Sequence, residues 1–164
     1  MPLTVGTDTY ITAADALAYV TAYYASADAK AIAWLGLSTQ DREARLRQAA
    51  RTVDAQPLTG IKITPTQLMA FPRLDYTEYR GDIAVEALSA TVPEAVKQAQ
   101  VEIALTLAQG LPMRARLQRE GVKSYSIGKA SETFDRAESG FRKIPSPEAR
   151  ELLRPYLAGA VSIT

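Results

Sequence analysis

The feature that most constrains the fold is residues 92–109, which form a predicted helix with apolar side chains over most of its circumference. Pro93 starts this helix and Gly110 ends it, because proline is tolerated in a first turn and glycine is favoured just past the last one. Its polar residues fall in a narrow arc that includes Glu102. A helix that is apolar on nearly every side is buried by its own domain or by a neighbouring subunit. We therefore expect it to form the centre of the core, around Ile103.

Two amphipathic helices are predicted before this central one. Thr12 is followed by Asp15, and Ser38 by Asp41, so each start has a hydroxyl that can cap the helix and an acidic residue in the first turn. The apolar residues behind each start recur at helical spacing, which indicates one buried face per helix. The positions predicted to face the core are Ala13, Leu17, Val20 and Tyr24 in the first helix, and Leu46, Ala49, Ala50 and Val53 in the second.

Three shorter helical segments are predicted from their boundary residues. Residues 29–35 form a helical turn that buries Trp34, the only tryptophan. A second segment starts at Thr64-Pro65 and stops at Pro72, since proline suits a first helical position and cannot continue a helix. The last starts at Ser146-Pro147 and continues towards Leu157. Residues 73–91 are interpreted as a loop.

A β-hairpin is predicted near the C-terminal end of the chain. Residues 122–127 and 130–135 are short strands around Gly128-Lys129, and glycine there suits the turns that close hairpins. The predicted fold is mainly α: a small helical bundle with a projecting β-hairpin and an extended C-terminal arm. We divide this single domain into a helical bundle core (1–113), a basic hairpin projection (114–143) and a C-terminal arm (144–164).

The chain contains no cysteine and no histidine. This excludes disulfides, thiolate nucleophiles, Cys/His zinc sites and Ser-His-Asp catalysis. The densest acidic group, residues 75–86, lacks the spacing of a calcium loop, and no glycine-rich phosphate cradle occurs. We therefore expect no enzymatic activity, no cofactor and no metal. No stretch approaches the roughly 20 apolar residues of a membrane span, and no secretion signal is recognisable, so no membrane partner is expected.

The net charge of +1 provides no strong global attraction to nucleic acid, but the charge is unevenly distributed. Residues 114–143 hold eight lysines and arginines against four acidic residues, with Tyr125 and Phe134 among them. Basic residues interleaved with aromatic ones are typical of proteins that bind single-stranded nucleic acid. A charged hairpin that protects its own edges is the alternative interpretation. The arginines of residues 42–51 scatter around their helix beside acidic residues, which favours a solvated face with ion pairs.

The order of these segments resembles a phage protein family labelled "DnaT-like single-stranded DNA-binding", whose members typically sit among head-assembly proteins. The likeness spans residues 8–157 and depends on the order and spacing of several short motifs. These are YITAADALAY (10–19), LRQAARTVD (46–54), LMAFPR (68–73), VPEAVKQAQVEIAL (92–105), GVKSYSIG (121–128) and LLRPYL (152–157).

The combination also looks like the adaptor proteins of long-tailed phages. That likeness implies a head-to-tail connector: a structural virion protein at the neck, made in the bacterial cytoplasm, that joins the capsid to the tail. It implies a cyclic ring of about twelve copies beneath the portal protein, with a neck or tail completion protein as further partner and DNA in its channel. The alternative is a single-stranded DNA-binding protein of phage replication.

Two sets of contact residues follow from the connector hypothesis. The partner contacts with the portal or neck are expected at Ser124, Tyr125, Ser126, Ile127, Leu152, Leu153, Tyr156, Leu157, Val161 and Ile163. The DNA-facing residues are expected at Arg114, Arg116, Arg119, Lys123 and Lys129.

Overall fold

The computed structural model describes residues 2–74, 91–110, 124–127, 130–133 and 144–158. In chain order the elements are α1 (Ala13–Tyr23), α2 (Ala29–Leu35), α3 (Thr39–Asp54), β1 (Ile61–Lys62), β2 (Arg73–Leu74), α4 (Glu94–Gln109), β3 (Ser124–Ile127), β4 (Ala130–Thr133) and α5 (Pro147–Leu153), followed by a 3₁₀ turn (Arg154–Tyr156). The predicted mainly α class with a small antiparallel hairpin is confirmed.

Helix α4 is the centre of the bundle, as its sequence predicts. It packs against α1, α2, α3 and α5, and every residue from Gln100 to Thr106 is buried. Ile103 is fully buried, together with Val96 and Ala99 on the preceding turns. A helix enclosed by four others needs apolar groups all round, and this explains why a single stripe does not describe it.

The helix starts lie where the capping residues predict. The Thr12 hydroxyl accepts a hydrogen bond from the Asp15 amide at 3.0 Å, and the Ser38 hydroxyl accepts one from the Asp41 amide at 3.1 Å. Ser146 caps α5 in the same way, and each bond satisfies an amide that the first turn leaves without a helical partner. The predicted buried face of α3 is confirmed: Leu46, Ala49, Ala50 and Val53.

The buried face of α1 differs from the predicted stripe. Ala16 and Val20 are its buried residues, whereas Ala13 and Leu17 are only half-buried. Tyr19 and Tyr24 also connect this part of the chain to α4, because both hydroxyls donate to a carboxylate there. These contacts are made by the polar tips of large apolar rings, and apolar periodicity does not record them.

The helix predicted from Thr64 to Pro72 is wrong. These residues form a turn between β1 and β2, which pair antiparallel. The Arg73 guanidinium donates to the carbonyls of Thr59 at 2.6 Å and Leu58 at 3.3 Å, and also to the carbonyl of Gly60. Those three carbonyls precede β1, and within the turn itself the Gln67 side-chain amide donates to the carbonyls of Met69 and Pro72, both at 2.9 Å. These side chains satisfy the backbone without helical hydrogen bonds.

Residues 144–158 pack on the bundle. Leu153 and Leu157 belong to the buried core, and α5 lies against α4. The backbone after α5 pairs with the segment that follows α3: the Thr59 amide donates to the Tyr156 carbonyl at 2.8 Å, and the Ala158 amide to the Pro57 carbonyl at 2.7 Å. This part of the predicted arm therefore contributes to the chain's own core.

Strands β3 and β4 lie within the two strands that the sequence predicts for the hairpin. They pair antiparallel with Ser124 opposite Thr133 and Ile127 opposite Ala130. The predicted turn at 128–129 and the outer ends of both predicted strands lie outside the described residues. Within the described ranges, none of the helices has both the length and the apolarity needed to cross a membrane.

Candidate nucleic-acid interface

The DNA-facing residues predicted from the sequence all lie outside the described residues, as do Val161 and Ile163: Arg114, Arg116, Arg119, Lys123 and Lys129. Ser124 to Ile127 are described as the backbone of β3. Of the predicted contacts in α5 and its 3₁₀ turn, Leu152 and Tyr156 are half-buried, while Leu153 and Leu157 are in the core. The structure therefore leaves Leu152 and Tyr156 partly accessible and buries the two leucines.

Two arginines of α3, Arg42 and Arg47, are engaged by other groups of the chain. The Arg47 guanidinium pairs with Asp8 at 2.8 Å and with Glu43 at 3.7 Å. Arg42 donates to the carbonyls of Trp34 at 3.1 Å and Leu35 at 2.7 Å, which satisfies carbonyls at the C-terminal end of α2. The predicted ion pairs are thus confirmed for Arg47, and Arg42 holds α2 against α3.

Arg47 also changes the acidity of its partner. Partial burial of Asp8 favours the neutral acid, but the hydrogen bonds from Arg47 and the Thr4 amide outweigh it. The pKa of Asp8 therefore lies below its ordinary value. The ion pair joins the N-terminal segment to α3.

Glu102 is the centre of a polar cluster that the sequence did not indicate. Its side chain is only 3% exposed. It accepts hydrogen bonds from the Tyr19 hydroxyl at 2.9 Å and the Tyr24 hydroxyl at 2.7 Å, and the Lys30 ammonium lies 3.6 Å away. Burial and the adjacent Glu102 carboxylate raise the pKa of Tyr19 and Tyr24, so both hydroxyls keep the protons that they donate.

Lys30 connects this cluster to α5. Its ammonium donates to Glu148 at 2.9 Å and lies 5.8 Å from the centre of the Tyr24 ring. Partial burial alone would raise the pKa of Glu148. The hydrogen bonds from Lys30, its own backbone amide and Ser146 have the larger, opposite effect, so the pKa of Glu148 lies below its ordinary value. The charge of Lys30 is therefore neutralised inside the cluster and contributes little to attracting a phosphate.

Tyr23 is the exposed member of the same aromatic group. Its side chain is 68% exposed, and its ring lies 4.6 Å from the Tyr19 ring at an interplanar angle of 33°. The two residues are four apart on α1, a spacing that places side chains on one helix face. The i, i+4 tyrosine pair is the sequence signal that could have identified this surface.

A second buried polar network joins α4 to the N-terminal segment and α3. The Gln100 amide accepts from the Tyr10 backbone amide at 2.9 Å and donates to Thr9 and to the Leu46 carbonyl, both at 2.8 Å. The Tyr10 hydroxyl hydrogen-bonds to Asp54, and burial together with this carboxylate raises the pKa of Tyr10. These groups are enclosed and satisfied, so we assign them a structural role.

The described bundle and the basic segment differ in net charge. Residues 2–74, 91–110 and 144–158 contain ten lysines and arginines and ten acidic residues, whereas residues 114–143 contain eight and four. No group of three acidic side chains suited to a metal ion occurs in the part of the chain that the structure describes. The described bundle therefore offers little net attraction to a polyanion.

Comparison with known proteins corrects the connector hypothesis. A family model described as "Putative DnaT-like ssDNA binding protein" matches residues 1–164, whereas no curated protein and no solved structure matches the chain. The family description names single-stranded DNA binding, so the prediction of a virion head-to-tail connector is wrong. No comparison supports the portal, the neck partner or the ring that belonged to it. The match over the full length shows that this chain belongs to the family described as "Putative DnaT-like ssDNA binding protein".

Proposed function

We propose that this protein binds single-stranded DNA without catalysing a reaction, and that the basic segment 114–143 makes most of its phosphate contacts. The observation that carries the proposal is the family match over residues 1–164. The absence of cysteine and histidine supports the non-catalytic part, since it removes the thiolate nucleophile and the commonest general base.

Basic side chains that are not already paired with other groups of the chain indicate where the phosphate contacts lie. In the bundle, Arg42 binds backbone carbonyls, Arg47 binds two carboxylates, and Lys30 lies between Glu102 and Glu148. A cation already paired with a carboxylate gains little from a phosphate, because the first interaction must be lost. The excess of basic residues in 114–143 is the chain's main source of uncompensated positive charge.

The test is the salt dependence of binding to a labelled oligothymidylate of about 20 nucleotides, followed by fluorescence anisotropy. Each phosphate contact to a single strand contributes about 0.7 to the slope of log affinity against log salt concentration. Replacing Arg114, Arg116 and Arg119 together by alanine should therefore reduce the slope by about 2 and weaken binding.

The matched control removes three positive charges from the bundle surface. Arg45 hydrogen-bonds to Gln48, and Lys97 and Arg154 form ion pairs with acidic residues three positions earlier in the chain. Their combined replacement by alanine should leave the slope nearly unchanged. An equal loss in both triple variants would contradict the assignment to residues 114–143. Absence of binding to the oligonucleotide at low salt, or equal affinity for duplex DNA, would contradict single-stranded DNA binding itself.

A further inference from the structure

Tyr23 differs from the other aromatic residues whose side chains the structure describes. The residue is 68% exposed, whereas three of the others are buried and three are half-buried. The buried ones are Tyr10, Trp34 and Phe71, and the half-buried ones are Tyr19, Tyr24 and Tyr156. A ring with this much free surface at the end of α1 is accessible to a planar ligand.

The exposed ring has a fixed support. The Tyr19 ring lies 4.6 Å from it and covers part of one face. Tyr19 is itself held by the hydrogen bond from its hydroxyl to Glu102, which is buried in the centre of the bundle. A ring supported in this way loses little conformational freedom when a ligand stacks on its other face.

We infer that Tyr23 is a stacking platform for a base of single-stranded DNA, with Tyr19 as its support. This inference rests on the proposed function. Proteins that bind single strands without reading sequence stack successive bases on aromatic side chains, and every base has a face that can stack. In the described bundle Tyr23 is the aromatic side chain with the exposure that this contact requires.

The Glu102 cluster, which holds the supporting Tyr19, does not offer a phosphate contact, because its cation is paired with carboxylates. Lys30, the cation of this cluster, contacts Glu102 at 3.6 Å and Glu148 at 2.9 Å. The platform therefore binds a base through ring contact, while phosphate contacts are made elsewhere on the chain. Stacking releases no counterions, so its contribution to affinity is the same at low and high salt, unlike that of a phosphate contact.

The experiment compares Tyr23→Ala with the wild type in the same oligothymidylate titrations. We expect Tyr23→Ala to weaken binding about tenfold at every salt concentration and to leave the salt slope unchanged. Tyr23→Trp should keep or strengthen binding because it retains an aromatic face, and Tyr23→Leu should behave like alanine. Leu68→Ala is the matched control, because Leu68 is 70% exposed and has no ring; its affinity should be that of the wild type.

Circular dichroism and thermal unfolding of each variant establish that the fold is unchanged, as expected for an exposed side chain. Wild-type affinity in Tyr23→Ala, together with weakened binding of the Arg114/Arg116/Arg119 variant, would overturn the platform and leave the proposed function standing. A reduced salt slope in Tyr23→Ala, or an equal loss in Leu68→Ala, would also overturn it. A wild-type protein without affinity for single strands would overturn both.

Discussion

Two polar residues lie close together on α4, and both are buried, yet they are satisfied in opposite ways. Gln100 is neutral, and two of its three hydrogen-bond partners are backbone groups, the Tyr10 amide and the Leu46 carbonyl. Glu102 is a carboxylate, and its partners are side chains: two tyrosine hydroxyls and the ammonium of Lys30. The first connects α4 to the N-terminal segment and α3, and the second to α1 and α2.

The comparison shows what each kind of connection requires. A buried amide needs hydrogen-bond partners but no counter-charge, so the Gln100 connection depends on two backbone groups and the Thr9 hydroxyl, all of them neutral. A buried carboxylate also needs a cation close by, since the loss of hydration is otherwise too costly. The Glu102 cluster therefore depends on Lys30, and through Lys30 on Glu148 of α5. The Gln100 network therefore contains no charged group, whereas the Glu102 cluster depends on the attraction between a carboxylate and the Lys30 ammonium.

The largest expected effect comes from a carboxylate placed on α4 without partners. Ile103 adjoins Glu102 in the sequence and is fully buried among apolar groups. Ile103→Asp should prevent folding, because an unpaired charge or an unsatisfied acid would lie in the core. The far-ultraviolet circular dichroism of the purified variant should show loss of helix at neutral pH.

Ile103→Val is the control for this substitution. It removes one methylene from the same site and should cost only about 0.5–1.5 kcal/mol of the free energy of unfolding. A folded Ile103→Asp with normal helix content would mean that α4 tolerates a carboxylate at either position, and the contrast between paired and unpaired charge would fail.

The parts of the fold that the sequence predicted are those set by neighbours along the chain. Capping at Thr12 and Ser38 and the buried face of α3 depend on spacings of three and four residues, which a sequence displays directly. The apolar circumference of α4 likewise predicted its burial, and Ile103 confirms it. Local spacing therefore predicted the main helices of the bundle and its centre, but not β1 and β2.

The parts that could not be predicted depend on distant partners. Glu102 was assigned to a polar arc, but Tyr19 and Tyr24 reach it from 83 and 78 residues away. Thr64-Pro65 and Pro72 have the spacing of helix boundaries, but the Gln67 side chain satisfies carbonyls of this turn and Arg73 binds carbonyls of residues 58–60, and neither contact is visible in the local pattern. For the candidate site, composition indicated the basic segment, whereas the exposure of Tyr23 became visible only with the orientation of α1.

Exchanging the amide for a carboxylate at position 100, and the carboxylate for an amide at position 102, should reduce stability by intermediate amounts. Gln100→Glu puts a carboxylate oxygen where an amide nitrogen donates to the Leu46 carbonyl and Thr9, so acceptors would face each other. We expect a loss of at least about 3 kcal/mol in the free energy of unfolding. Glu102→Gln keeps an oxygen for the tyrosine hydroxyls and leaves Lys30 paired with Glu148, so its cost should be about 1–2 kcal/mol.

Urea denaturation at neutral pH measures both variants under the same conditions. Gln100→Glu should also become more stable as the pH is lowered, since a protonated acid can donate to Leu46 or Thr9 and loses its charge. A cost for Glu102→Gln that equals or exceeds that of Gln100→Glu would show that the carboxylate itself, rather than its hydrogen bonds, holds the cluster together.

The smallest expected effect concerns the ion pair between Lys30 and Glu148, the more exposed of the two carboxylates that contact Lys30. The pKa of Glu148 is lowered in the folded protein, because Lys30, Ser146 and its own amide outweigh the effect of burial. A lowered folded-state pKa stabilises the protein above the ordinary pKa of the carboxyl, and this contribution is lost as the pH falls through the folded-state value. Since the side chain is 49% exposed, solvent limits the contribution to less than about 1 kcal/mol.

Glu148→Gln should therefore lower stability slightly at pH 7 and flatten the decline in stability below about pH 4.5. Glu151→Gln is the matched control, because it removes a carboxylate of the same helix whose pair with Arg154 is largely exposed. Chemical denaturation across the acidic range measures both. Identical acid profiles for the two variants would mean that Lys30 stabilises the bundle through Glu102 alone, so the ion pair between α2 and α5 would add nothing to the apolar contacts that hold α5 in place.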